Sequence, residues 1–231
     1  MAESVERTER LVRVDTGLVA LDGDLSLPNE ARAIVLFAHG SGSSRHSSRN
    51  RHVARLLNEA TLATLLIDLL TPDEETIDMR TAQLRFDIGL LAERLVGATD
   101  WLTQYRDTRH LPIGYFGAST GAAAALVAAA ERPDQVSAVV SRGGRPDLAG
   151  PALPQVRAPT LLVVGGNDVQ VIQLNRAALA PLRCEKQLVI VPGATHLFEE
   201  HGALDAVARL ARDWFHRHLI AATQRNAAAA G

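Results

Sequence analysis

Gly117-Ala118-Ser119-Thr120-Gly121 stands between an apolar run, 111–116, and an alanine-rich run, 122–130. The first run reads as a strand and the second as a helix, so the pentapeptide spans a strand-to-helix turn. Such a turn strains its central residue, and the flanking glycines let neighbouring backbone approach closely. The serine hydroxyl is then raised clear of the sheet, at the positive end of the following helix. Gly-x-Ser-x-Gly alone is short enough to recur by chance; in this context it points to a nucleophile. The competing reading is an ordinary helix N-cap serine.

A serine hydroxyl needs a base within hydrogen-bond reach, and the base needs an orienting acid. Downstream, Thr160-Leu161-Leu162-Val163-Val164-Gly165-Gly166-Asn167-Asp168 reads as a buried strand ending in a turn that carries an acid. Leu188-Val189-Ile190-Val191-Pro192-Gly193-Ala194-Thr195-His196 repeats the pattern with a histidine. The order is serine, acid, histidine, and each interval has room for a helix and a strand. Open α/β sheets gather such residues at the carboxyl edge of their strands. Asp68, after strand 64–67, is a competing acid, but it precedes Ser119 in the chain.

These pieces, with His39-Gly40-Ser41-Gly42 after another strand, resemble the α/β-hydrolase superfamily, and within it small, lid-poor members related to dienelactone hydrolase. The resemblance covers roughly residues 30–220. It implies a Ser119-His196-Asp168 triad and an oxyanion hole from the backbone N–H groups of Ser41 and Thr120. Dienelactone hydrolases proper carry cysteine as nucleophile, whereas this chain has Ser119, so the resemblance implies a serine esterase of that architecture. The expected reaction is hydrolysis of small soluble carboxylic esters through an acyl-enzyme. A thioesterase or amidase would use the same triad, and a non-catalytic ligand-binding protein of the same fold is the reading from another class.

Composition bounds the remainder. The chain has 231 residues, 47% apolar, and a formal net charge of −2, which argues against a general nucleic-acid binder. No apolar run approaches a membrane span, and the first seven residues lack an apolar signal core. Cys184 is the single cysteine, so no internal disulfide forms, and a packing role is expected for it. A cytoplasmic protein, monomer or homodimer, is therefore expected. No His-Glu-x-x-His or paired-cysteine motif suggests a metal, and no cofactor is expected. The loop Gly40-Ser41-Gly42-Ser43-Ser44-Arg45 lacks both the third glycine of a dinucleotide fingerprint and the ending of a P-loop.

The alternation of patterns predicts an α/β fold, a mostly parallel sheet of about seven or eight strands covered by helices on both faces. Residues 11–27 read as an antiparallel hairpin, and 79–105 as one long helix. Segment 71–78 reads as an acidic, mobile rim, and 143–159 as a loop too short for a cap domain. A single domain over 1–220 is expected, with a frayed tail at 221–231. His39 is expected to brace the oxyanion loop, and His216 and His218 to be solvated. Arg45 and Arg142, with Arg145 beside them, follow strands at the active edge and are expected to favour an anionic ester.

Overall fold

A computed structural model describes residues 6–221. Eight strands form one sheet: β1 (Arg7–Asp15), β2 (Ala20–Pro28), β3 (Ala33–Ala38), β4 (Leu62–Ile67), β5 (Ile113–Ala118), β6 (Val136–Arg142), β7 (Thr160–Gly165) and β8 (Lys186–Val191). Their spatial order is β1-β2-β4-β3-β5-β6-β7-β8. The β1–β2 and β2–β4 pairs are antiparallel, and every pair from β4 to β8 is parallel. The expected tail at 221–231 falls, beyond Ala221, outside the described residues.

Six helices cover the sheet: α1 (Ser48–Glu59), α2 (Pro72–Thr81), α3 (Ile88–Gln104), α4 (Thr120–Glu131), α5 (Val169–Leu179) and α6 (Ala203–Phe215). Central strands such as Ala33–Ala38 are buried along their whole length, because both faces are covered. Alternate side chains feed two cores. Ile34, Leu36 and Ala38 join the layer under α3 and α4; Ala33, Val35 and Phe37 join the layer under α1 and α6. The alanine-rich α4 is buried on nearly every side, which its small side chains permit.

The expected long helix 79–105 is two helices. Thr71 and Glu74 form a reciprocal capping box, Pro72 opens α2, and Ala82 ends it in a left-handed conformation. A 3-10 turn, Leu84–Phe86, follows, and the Asp87 side chain caps α3 at the Leu90 N–H. Segment 71–78, expected as a mobile rim, is therefore an ordered helix. Asp78 fastens the break: burial works against its charge, but hydrogen bonds from the Arg85 backbone and guanidinium outweigh this and hold its carboxyl below the usual range. The loop after β6 contains the 3-10 segment Pro146–Gln155, kinked at Gly150, and no cap domain.

The order of pairing places a topological switch between β3 and β5. From β3 the chain moves to β4 on one side and then to β5 on the other. In open α/β sheets the crevice at the carboxyl ends of such a strand pair is the usual ligand site. The loop Gly40–Ser44 and the turn at Ser119 both border that crevice.

Candidate active site

Ser119 joins β5 to α4 at φ 51° and ψ −122°, a conformation that costs a non-glycine residue of order 1–3 kcal/mol. The neighbouring backbone enforces it. A Cβ on Gly121 would lie 2.4 Å from the carbonyl oxygens of Ala38 and His39, and one on Gly117 would lie 2.5 Å from Ala122 Cα. The glycines of the pentapeptide are thus required by close approach. Ser119 occupies the N-cap position of α4, yet its side chain makes no capping hydrogen bond. The ordinary N-cap reading does not account for it.

Asp168 occupies the N-cap position of α5, and its carboxylate likewise does not cap. It instead meets His196, whose Nδ1 lies 2.6 Å from Asp168 Oδ2. Two hydrogen bonds hold the turns together: Asn167 N–H donates to Ala194 O at 2.9 Å, and Asn167 Nδ2 donates to Gly193 O at 2.9 Å. Glu200 Oε1 accepts from Thr195 N–H at 3.0 Å, and the Thr195 side chain, then the Glu200 and Thr195 backbone amides, hold the Glu200 carboxyl below the usual range. The Asp168 side chain is 14% exposed and that of His196 41%, so the acid is enclosed while the imidazole reaches solvent. No hydrogen bond joins Ser119 Oγ to His196 in this structure; apo sites often show such bonds unformed.

The Thr120 N–H opens α4, where helix geometry leaves first-turn amides without intrahelical acceptors. The Ser41 N–H, the other amide implicated by the resemblance, donates to Thr120 Oγ1 at 3.0 Å. His39 supports this loop as expected. Its Nε2 accepts from Leu69 N–H at 3.0 Å, which leaves the proton on Nδ1 to donate to Gly40 O at 3.0 Å. Burial lowers the His39 pKa and keeps the ring neutral. A recess of about 30 Å³ beside the loop is lined by His39, Gly40, Ser41, Asp68, Arg85 and Leu91. A cavity of about 470 Å³ lies elsewhere, between the hairpin and α1, and none of the residues above line it.

The structure separates the three arginines, and the expectation for Arg45 needs correction. Arg45 is bound to protein carboxylates: its guanidinium pairs with Asp68, and its Nε lies 3.5 Å from Asp24 Oδ1. Its backbone N–H also donates to Asp68 Oδ1 at 2.7 Å. Two anions within reach hold Arg45 as a brace for the loop, and this engages Asp68, the rival acid. Arg145 folds back onto Asp147 through two hydrogen bonds of 2.8 and 2.9 Å. Arg142 differs. It is buried, 7% exposed, on the α1 side of β6, and its Nη2 lies 3.4 Å from Asn50 Oδ1.

Sequence reasoning also misplaced two histidines and passed over one asparagine. His216 Nε2 contacts Ala60 O at 3.0 Å, and His218 is buried against Trp214, so neither is a solvated surface group. The last turn, His216–Ile220, is a π-helix, in which His218 is buried and His216 partly so. Asn175, fully buried on α5, donates to Gly144 O at 2.9 Å and so positions the loop after β6. Cys184 is half-buried, packs on the core, and has its thiol pKa pushed up by burial, in keeping with a packing residue.

A strained serine after β5, an acid after β7 hydrogen-bonded to a histidine after β8, and an eight-stranded, mostly parallel sheet with an N-terminal hairpin define an α/β-hydrolase. Residues 21–221 match the dienelactone hydrolase family, and the chain belongs to that family. A solved dienelactone hydrolase from Anabaena variabilis ATCC 29413 is 67% identical, with a TM-score of 0.91, over 92% of this chain and 99% of that one. A dienelactone hydrolase-like promiscuous phosphotriesterase from metagenomic libraries shares the fold at 17% identity and TM-score 0.74, covering 92% of this chain and 98% of that one. A Mycobacterium tuberculosis protein named "Putative phosphoribosyl transferase" is 60% identical over 208 residues, 90% of this chain. The chain spans about half the length of that relative, 46%. Among the described residues, no helix is long and apolar enough to cross a membrane.

Proposed function

We propose that this family member is a serine carboxylesterase acting on small, soluble esters. The observation that carries the reading is the Ser119 elbow, with its hydroxyl uncommitted, at the same sheet edge as the 2.6 Å Asp168–His196 pair. In this reading Ser119 Oγ attacks the ester carbonyl, and its proton passes to His196 Nε2. Asp168 holds the Nδ1–H tautomer and stabilises the imidazolium. The oxyanion meets the N–H groups of Thr120 and Ser41, and Ser41 exchanges Thr120 Oγ1 for it. His196 returns the proton to the leaving alcohol, and water resolves the acyl-enzyme by the same base.

The short segment after β6 supplies no cap, and without one an extended apolar groove for a long acyl chain is lacking, which favours short acyl groups. The exposed apolar side chains Ile77, Phe86, Leu148, Val169 and Leu197 lie on segments that follow the carboxyl ends of strands, and they suit an uncharged ester chain. We assign hydrolysis rather than phosphoribosyl transfer, because the elbow and the acid–imidazole pair lie within this chain, whereas the transferase name belongs to a protein about twice its matched length. The test is labelling by a fluorophosphonate, with the adduct mapped by mass spectrometry, alongside turnover of matched ester, thioester and amide. Adduct on Ser119 and fastest turnover of the ester are expected. An unlabelled Ser119 would reject the nucleophile, and a faster thioester would move the assignment to thioesterase.

A further inference from the structure

Arg142 is buried and, among the described residues, faces no carboxylate. Its Nη2 reaches only Asn50 Oδ1, at 3.4 Å, while its Nε and Nη1 are buried without an acceptor. Asn50 lies in the first turn of α1, and Arg49 precedes it. The Arg49 Nε is also buried without an acceptor, and its Nη1 stands 3.4 Å from Glu199 Oε1. Arg142 thus reaches the first turn of a twelve-residue helix, to which Arg49 itself belongs; the Ser47 side chain caps the Asn50 N–H at 3.4 Å, while the Ser48 and Arg49 amides lack intrahelical acceptors and the dipole is positive there.

A buried charge is ordinarily paired, and leaving it unpaired is costly. Burial, and then the field of Arg49, push the Arg142 guanidinium down to about 10. It therefore remains charged at neutral pH and cannot relieve the cost by losing its proton. We propose that Arg142, Arg49 and the first turn of α1 form a binding site for a small oxyanion, a carboxylate or phosphate group. The guanidinium fork matches two oxygens of such a group, and a helix amino end supplies further donors. The site adjoins the elbow, because the Arg142 carbonyl accepts from the Ser119 N–H at 3.3 Å. The anion is therefore either the acidic group of a substrate or a free ion.

The experiment titrates the full chain with inorganic phosphate at constant ionic strength, read by thermal melting and by calorimetry. Ligand that binds only the folded state raises Tm. Wild type is expected to gain about 3 °C or more at 100 mM phosphate. Arg142→Met, which keeps the apolar stem, should lose that response while melting no lower than wild type without phosphate. Arg142→Lys keeps the charge without the fork and should bind about tenfold more weakly. If wild type shows neither a shift nor heat beyond the salt control, the arginine is simply an unpaired buried charge and the site falls.

Phosphate binding does not depend on the esterase reading, so Ser119→Ala should bind as wild type does. The source of the anion does rest on that reading. With hemisuccinate and neutral esters of equal length, a substrate carboxylate at this site predicts a tenfold fall in the charged-to-neutral ratio of kcat/KM for Arg142→Lys. An unchanged ratio, with wild type binding phosphate and Arg142→Lys binding it more weakly, supports the site and assigns it to a free oxyanion.

Discussion

The Ser41 N–H donates to Thr120 Oγ1 at 3.0 Å, joining the loop after β3 to the first residue of α4 across 79 positions of sequence. These are the two residues whose amides the proposed mechanism aims at the oxyanion. In the resting structure one of those amides is already satisfied, so in that proposed mechanism the transition state has to displace a hydroxyl. That exchange keeps the free site from carrying an orphan donor, whose cost is about 1–3 kcal/mol.

Thr120→Val keeps the side-chain shape and removes the acceptor. Stability should fall by about 1–2 kcal/mol, measured by urea unfolding, because the Ser41 N–H loses its partner. Turnover should stay within about threefold, since the backbone donors remain. A loss above tenfold would show that the hydroxyl itself takes part in the chemistry.

Ser119→Ala should lower esterase turnover by about 10³-fold or more and leave the melting profile intact. Combining it with His196→Ala should cost little further, because residues that act as one unit are not additive. A double variant much slower than either single one would mean that the two act separately.

Asp168→Asn should lower kcat by about 10³–10⁴-fold by favouring the wrong imidazole tautomer. Asp68→Asn should act differently: it removes the partner of Arg45 and loosens the loop, so the loss should show first in Tm. If Asp68→Asn abolishes turnover while Asp168→Asn is benign, the acid has been misassigned.

His39 sets a pH dependence. Burial lowers its folded-state pKa below the ordinary value of about 6.5, a shift only partly offset by its bond to Gly40 and the charges of Asp68 and Glu75. A depressed pKa means that the unfolded chain takes up the proton first. The stability from neutral His39 is complete above pH about 6.5 and is lost as pH falls toward the folded value. The urea midpoint of wild type should therefore fall more steeply between pH 7 and 5 than that of His39→Gln. Parallel curves would contradict the neutral assignment.

A four-carbon p-nitrophenyl ester should be cleaved faster than a twelve-carbon one, because no cap supplies an extended apolar groove. The opposite order, seen in kcat/KM, would point to an extended binding surface over the exposed apolar side chains.

Local sequence was sufficient wherever a feature is written in neighbouring residues. The alternation of apolar strands and helices gave the layered sheet, and Gly117-Ala118-Ser119-Thr120-Gly121 gave the elbow, because a tight turn dictates its own residues. The capping box Thr71-Pro72-Asp73-Glu74 is equally legible, although the acidic composition of its segment suggests a mobile rim. Other features depend on residues far apart in the chain. No local signal marks the left-handed Ala82 that divides 79–105 into two helices. That Arg45 is held by Asp24 and Asp68, while Arg142 is buried with no such partner, could not be read from an arginine after a strand, since partners are chosen by packing. The chain order of Ser119, Asp168 and His196 named candidates; only the parallel pairing of β5 to β8 brings their turns to one edge, because pairing is a long-range choice made by the buried core.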